Sequence, residues 1–412
     1  LQPRYLGILP TQSSESTWRD IKVYANHAFI VSEASANGVQ VFDLMRLRSI
    51  GTVPVTFSPD AVYTGIGSAH NIAINEETGF AYAVGARGGD FLCGPGLHMI
   101  DVRNPKSPSL AGCFAHSGTG RAGTGYTHDA HCVIYRGPDS DYAGREICVG
   151  ANETHISIAD VSDKAAPRII SSATYPTAQY IHQGWFTDDH RYFLQNDELD
   201  ELRGLVARTT TYVWDLTDLD SPTVLRTYEG PTTASDHNLY VVNQWAYMAN
   251  YRAGLQVVDF TDIGNPREVA YFDTYPADDL PSTSGAWSVY PFFESGNVLV
   301  SSVRDGFFIL RPPFNKSIGT EDELPASGVI VSVFPNPASD VGFVRIESEA
   351  TVDLEVLVFD LLGREVTRVS TGTIPAGVPR TLRLASGLAA GSYVVHVRGG
   401  SRPVNRLLTV AG

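Results

Sequence analysis

Four histidines, His70, His128, His182 and His237, each stand at the start of a short apolar stretch, and each is followed by Asn, Asp or Gln. Arg19, followed by Asp20, and Trp287 hold the corresponding place in two further stretches. A second apolar stretch follows, and in five of the six cases it ends in polar groups, at Glu33, Asn152-Glu153, Asp197-Glu198, Tyr251-Arg252 and Arg304-Asp305. If the two stretches pair as a hairpin, the start of one and the end of the other lie at the same edge. The imidazoles and carboxylates then converge. His70, His128, His182, His237, Glu33, Glu153 and Glu198 form a candidate set for a divalent transition metal, because mixed nitrogen and oxygen ligands suit Zn, Mn, Fe or Ni better than Ca or Mg. Arg19, Asp20, Asp197, Arg252 and Trp287 are candidate ligand contacts around it. A glutamate there could also serve as general base on a metal-bound water. The competing reading is structural: a His followed by a carboxamide at a strand start can hydrogen-bond the neighbouring sheet.

Other chemistry-bearing residues say less. His27, His98, His131 and His190 do not recur at a repeat position, whereas His155 sits beside Glu153 and could join the site. The glycine-rich stretch Gly118–Gly125 lacks the Lys-Ser/Thr and the strand-to-helix setting of a phosphate loop, so it reads as a flexible loop above the site. The acidic run Asp197–Glu201 lacks the glycine and spacing of a calcium loop. No Gly-x-Ser-x-Gly elbow is present. Trp185 and Trp245 read as core residues rather than sugar platforms.

The elements that must carry these residues are strands. With 38 Gly, 24 Pro and 43% hydrophobic residues, the chain has a turn-rich makeup and no long 3.6-residue apolar periodicity, so an all-β fold is expected. Five stretches end alike in Asp: Val39–Asp43, Leu97–Asp101, Ile156–Asp160, Tyr212–Asp215 and Leu255–Asp259, with Phe307–Arg311 as a sixth that ends in Arg. Successive spacings from Asp43 are 58, 59, 55 and 44 residues, enough for one four-stranded unit each. Asp at a strand end accepts backbone N–H groups two residues on and starts a turn. Pro108, Pro167, Pro222 and Pro266 follow and should open outer strands, since proline cannot donate to a central ladder. Units of this size bury both faces by closing into a ring, a β-propeller. Six inner hairpins can be counted. The segment Pro3–Leu9 reads as an outer strand, so it either completes the last blade or belongs to a seventh blade preceding Leu1.

The formal charge of −15 argues against nucleic acid as a partner, which would need a clustered basic face. No apolar run reaches the roughly 18 residues that span a bilayer. No signal peptide is present, but the chain opens Leu1-Gln2-Pro3 without Met, so its N-terminus is expected to have been removed. Cys93 and Cys113 flank one strand and Cys132 and Cys148 fall on adjacent strands; either pair could be a disulfide or two buried thiols.

Residues 1–312 resemble the LVIVD-repeat propellers of the choice-of-anchor B family of bacterial surface proteins. The likeness lies in the repeat and in Trp18-Arg-Asp-Ile-Lys22, Tyr142-Ala-Gly-Arg-Glu146, His182-Gln-Gly-Trp-Phe186, Asp236-His-Asn-Leu-Tyr240, Ala249-Asn-Tyr-Arg-Ala-Gly-Leu255 and Gly285-Ala-Trp-Ser-Val-Tyr-Pro291. The resemblance implies a seven-bladed ring with one repeat upstream, and it supplies no reaction. Taken as a whole, residues 1–314 read as the propeller and 315–328 as a polar linker. Residues 329–412 read as about seven strands of a small Ig-like sandwich, with turns at Pro335–Pro337, Leu362–Arg364 and Ala390-Gly391. This last part resembles the type A sorting domain of the type IX secretion system. The matching motifs are Phe334-Pro-Asn-Pro-Ala-Ser339, Phe359-Asp-Leu-Leu-Gly-Arg-Glu-Val366, Leu388-Ala-Ala-Gly-Ser-Tyr-Val-Val395 and Arg406-Leu-Leu-Thr-Val410. It implies a Gram-negative cell, engagement of the secretion machinery, export across the outer membrane, and attachment to surface lipopolysaccharide. Two functions remain in play: a surface protein binding a protein or carbohydrate ligand at the propeller mouth, and a metal-dependent hydrolase or oxidoreductase working there.

Overall fold

The computed structural model describes residues 3–90, 93–293, 295–312 and most of 329–410, with 335–337, 339–341, 349, 361–363, 385–387 and 400–403 outside the described set. The expected linker 315–328 and the turns at Pro335–Pro337 and Leu362-Gly363 fall on residues outside it. The chain divides into two compact units, Leu1–Lys316 and Ser317–Gly412.

The first unit is built from consecutive antiparallel sheets, six among the described residues, of a propeller type. Their inner strands are Arg19–Tyr24, Asn71–Asn75, Asp129–Ile134, Ile181–Phe186, Asn238–Val242 and Ala286–Tyr290. Each inner strand contacts the next along the chain. In sheets two to five the chain runs outward strand by strand, so the Asp-ended stretches are the third strands and the post-proline strands are outermost. All five aspartates start their turns as expected. Asp43, Asp101, Asp160, Asp215 and Asp259 accept the backbone N–H two residues on at 2.8–3.0 Å.

Burial explains why these sheets need neighbours. Leu97–Asp101, Ile156–Asp160 and Leu255–Asp259 are buried on both faces rather than alternately. Val31 and Val41 of the first sheet pack on Ile72 and Ile100 of the second, and Ile147 and Ile158 of the third on Phe186 and Trp214 of the fourth. Each fully buried side chain of this kind contributes on the order of 1.5–3 kcal/mol. A charged network also joins sheets. Glu146, on the third, accepts from Asn75 and Tyr82 of the second and from Lys164 Nζ at 2.7 Å, all buried.

The N-terminal strand departs from its expected place. Gly7–Ile8 does not complete the sixth sheet, which has three strands among the described residues. Instead it pairs in parallel with Val55–Thr56 beside the first sheet, held also by Gln40 Nε2 donating to Pro10 O at 2.8 Å. Both cysteine pairs are disulfides, Cys93–Cys113 and Cys132–Cys148, the second between directly opposed residues of one hairpin.

In the second unit, seven strands form a three-stranded and a four-stranded sheet among the described residues. Val331, Val344 and Ile346 from one, with Val356, Val395 and Leu408 from the other, share one core. This is a small β-sandwich.

Candidate functional site

At one end of the inner strands lies a cavity of about 530 Å³. All four repeat histidines line it, as do Glu33, Glu153 and Glu198. Trp18 of the first sheet's entry and Trp287 of the sixth sheet also reach it, so the inner strands surround a common mouth.

The backbone aims these rings. His70, His128 and His237 sit one residue before their strands begin. His182 and Trp287 are each the extra residue of a register shift, between Ile181/Gln183 and Ala286/Ser288. A bulge re-aims a side chain that strand alternation would otherwise place elsewhere. The result is a fan of rings, with centroids 4.2 Å apart from His70 to His128 and from His128 to His182, 4.4 Å to His237 and 4.5 Å to Trp287.

Each ring spends one nitrogen on its neighbour. His128 Nδ1 donates to His182 O at 3.0 Å, His182 Nδ1 to His237 O at 2.9 Å, and His237 Nδ1 to Trp287 O at 2.5 Å. His70 Nδ1 donates to Glu33 Oε1 at 2.6 Å. A carbonyl oxygen can only accept, so Nδ1 carries the proton and Nε2 of the neutral ring keeps its lone pair. The following residues add to this lock: Gln183 and Asn238 donate to carbonyls of the next sheet at 2.9 Å. Burial holds His128 and His182 well below the ordinary imidazole range and His237 at about 3, with the neighbouring histidines adding to the effect. These rings are therefore neutral at physiological pH.

One ligand atom each of His182, Glu198 and His237 lie within 4.8 Å of one another, and the His–Glu approaches are 3.9 Å from His182 Nε2 to Glu198 Oε2 and 4.0 Å from His237 Nε2 to Glu198 Oε1. Glu198 is fixed by Tyr251, whose hydroxyl donates to Oε1 at 2.5 Å. Burial raises the Glu198 carboxyl above its ordinary range, and the Tyr251 bond works against that rise. His70 and His128 line the same cavity but are not in this set of three. Glu33 is engaged with His70, and Glu153, at φ 59°, accepts Arg121 N at 2.8 Å.

Four candidate ligand contacts are not brought to the cavity. Arg19 Nε is turned to Ser16 O, and Asp20 pairs with Lys22 at 2.6 Å. Asp197 is buried under donors from Tyr175, Gln179 and Tyr180, and Arg252 pairs with Asp278. Alternation at the strand end explains Asp197: of two successive residues Glu198 lines the cavity and Asp197 does not. His155 bonds Thr154 rather than entering the site.

Sequence reasoning missed Arg87, Arg121, Tyr126 and Tyr180, which line the cavity. The tyrosines had a signal, since each stands two residues before a repeat histidine, Tyr126 before His128 and Tyr180 before His182. The Gly118–Gly125 loop does lie at the mouth, but it is tied down. Asn152 Nδ2 donates to Thr119 Oγ1 at 2.7 Å, and Arg121 donates to Gln179 O while its guanidinium lies 4.7 Å from the Tyr180 ring centre.

The fold and the second unit together define an exported surface protein built on a propeller-type repeat. Residues 332–410 match the secretion system C-terminal sorting domain, so the protein is directed through the type IX machinery to the cell surface or beyond it. Residues 236–274 match the LVIVD repeat. No curated protein matches the chain. Among solved structures it is similar to PorZ, an essential surface component of the type IX secretion system of Porphyromonas gingivalis, at 14% identity and a TM-score of 0.43 over 96% of this chain; it spans about half, 51%, of that protein. It is also similar to a Lactobacillus plantarum protein, at 16% identity and a TM-score of 0.46 over 91% of this chain and 90% of that one. A third is the periplasmic gluconolactonase PpgL of Pseudomonas aeruginosa, at 12% identity and 0.46 over 87% and 99%. No helix among the described residues is long and apolar enough to cross a membrane.

Proposed function

We propose that the protein is a surface-displayed binding propeller that holds a divalent transition metal on His182 Nε2, His237 Nε2 and Glu198, and takes a protein or carbohydrate ligand in the cavity above it. One observation carries this reading: three donor atoms of suitable type gather within 4.8 Å, with both imidazoles already oriented by Nδ1 donation to backbone carbonyls. That second hydrogen bond is the usual companion of a metal-bound histidine. In a tetrahedral site with bonds of about 2.1 Å, neighbouring ligand atoms sit roughly 3.4 Å apart; His182 Nε2 lies 3.9 Å from Glu198 Oε2 and His237 Nε2 lies 4.0 Å from Oε1, so side-chain shifts would draw them onto one ion. The bland and the chemical readings of the histidines are compatible, because Nδ1 locks the sheets and Nε2 faces the cavity. After export, the sorting domain is read as the part that engages the secretion machinery and attaches the protein to lipopolysaccharide; membership of the choice-of-anchor B family belongs to the same reading.

A second reading, a metal-dependent hydrolase or oxidoreductase, is favoured by the number of ligands. Three protein ligands leave a fourth position open, as in catalytic zinc sites, and Glu33 and Glu153 line the same cavity as candidate bases. Titration calorimetry with Zn²⁺ and Mn²⁺ on the metal-stripped chain tests the shared premise. One site that disappears in the His182→Ala/His237→Ala variant supports it, and unchanged binding by that variant sinks it. Turnover of ester or phosphoester probes by the loaded protein, lost in Glu153→Gln, would move the assignment to the hydrolase.

A further inference from the structure

The groups around the mouth sort by what they already bond. Each carboxylate of the cavity is engaged. Glu33 Oε1 takes His70 Nδ1 at 2.6 Å, Glu153 Oε2 takes Arg121 N at 2.8 Å, and Glu198 Oε1 takes the Tyr251 hydroxyl. The guanidinium groups are less committed. Arg87 lines the cavity, is exposed, and its side chain makes no hydrogen bond or ion pair among the described residues. Arg121, also exposed, donates from Nη2 to Gln179 O at 2.8 Å; its Nε and Nη1 have no partner among the described residues.

An unpaired arginine on an open, mobile surface would only be solvated, but these two are held in place. Arg87 N donates to Ser68 O, and Arg87 O accepts from Gly67 N and Ser68 N, all at 2.9 Å, so its backbone is tied to a neighbouring segment. Arg121 is fixed by its own N–H on Glu153 and by its guanidinium, 4.7 Å from the Tyr180 ring centre. Arg87 follows the second strand of the second sheet, and Arg121 belongs to the loop between the second and third sheets, yet both reach one cavity. Arginine presents N–H donors in a planar fork that matches a carboxylate. With the carboxylates already bonded, the free capacity of the rim is that of a cation and a donor, and its complement is an anion.

Indole rings stand in the same wall. Trp18 lines the cavity while 46% exposed, and Trp287 lines it from the sixth sheet. A large ring left open at the edge of a pocket offers a flat apolar face. The C–H face of a sugar ring stacks on such a surface and leaves its hydroxyls and any carboxylate free to bond elsewhere. A volume of about 530 Å³ is that of a small-molecule site rather than a seat for a folded partner.

We propose that the mouth recognises a carboxylate-bearing sugar, such as a hexuronate within a glycan. Arg87 pairs with the carboxylate, Arg121 adds its free N–H groups, and Trp18 carries the ring face. The proposal rests on the reading of the mouth as a binding site and names its class of ligand.

The test is calorimetric titration of the purified full chain with tri-galacturonate and with a glucuronate-containing trisaccharide, each beside its methyl ester, which keeps the rings and removes the charge. At least one acid should bind about tenfold or more tightly than its ester. Arg87→Gln, a change at an exposed side chain, should abolish that preference, and Trp18→Ala should weaken binding of the acid about 3–10-fold. Metal counted on the same samples keeps the two readings apart: a preference for the acid in metal-free protein would sink the metal and leave the sugar acid standing. Equal affinity for acid and ester, or a preference untouched by Arg87→Gln, overturns the proposal and leaves the mouth a site for another ligand. Binding of none of these sugars by protein that holds its metal overturns it as well. Tighter binding of a hexaglutamate peptide than of either acid would assign the arginines to an acidic peptide instead.

Discussion

At the scale of single residues, three of the four repeat histidines divide their nitrogens: Nδ1 of His128, His182 and His237 donates to a carbonyl of the next sheet, and Nε2 keeps its lone pair. Their recurrence was legible in the sequence. The division was not, because it depends on where the next sheet puts a carbonyl. Nor could alternation at the strand ends be resolved beforehand, which is why Glu198 reaches the mouth and Asp197 does not. Tyr251 supplies a test at this scale. Tyr251→Phe removes the donor to Glu198 and should weaken metal binding by about 10–100-fold with the fold intact, as read by competition with a chromogenic chelator; unchanged affinity would show that the hydroxyl does not orient the carboxylate. Two histidines outside the site predict a pH effect. Burial holds His98 at about 4 and His131 at about 3, His98 receiving the Tyr63 hydroxyl at 2.7 Å and His131 stacked on Trp185. Their folded values lie below the unfolded one of about 6.5, so the unfolded chain takes up protons first as pH falls. The stability they protect is whole above about pH 6.5 and is lost towards pH 4, on the order of 3 kcal/mol for each. Urea midpoints at pH 7.5 and 4.5 should show this drop, and His98→Gln should flatten part of it; an equal slope in that variant would contradict the assignment.

At the scale of elements, the repeat was the most readable feature. Asp at a strand end, its turn and the proline that follows all act within a few residues, so local chemistry decides them. Features set by distant partners were hidden. The bulges at His182 and Trp287 answer to the strands beside them. The N-terminal strand has the pattern of an outer strand yet pairs with Val55–Thr56. The Glu146 network joins residues from two sheets and the turn after a third strand. Lys164→Met removes the one cation bonded to buried Glu146 and should cost about 3–5 kcal/mol, measured by chemical denaturation. A loss below 1 kcal/mol would mean that the neutral donors alone satisfy the carboxylate.

At the scale of the whole molecule, an exported propeller and a sorting domain were both legible, because each rests on sequence motifs repeated or clustered along the chain. The two disulfides suit the oxidising compartments that export implies. Deleting residues 329–412 should leave the protein behind the outer membrane, seen by fractionation and surface protease accessibility; surface display of the truncated chain would contradict the role given to that unit. Metal content distinguishes a binding site at the mouth from a purely structural lock. Mass spectrometry of the purified protein should find close to one transition-metal ion per chain, and none in the His182→Ala/His237→Ala variant. Metal absent from both, even after loading with Zn²⁺ or Mn²⁺, would contradict the account and leave the histidines as the lock between sheets.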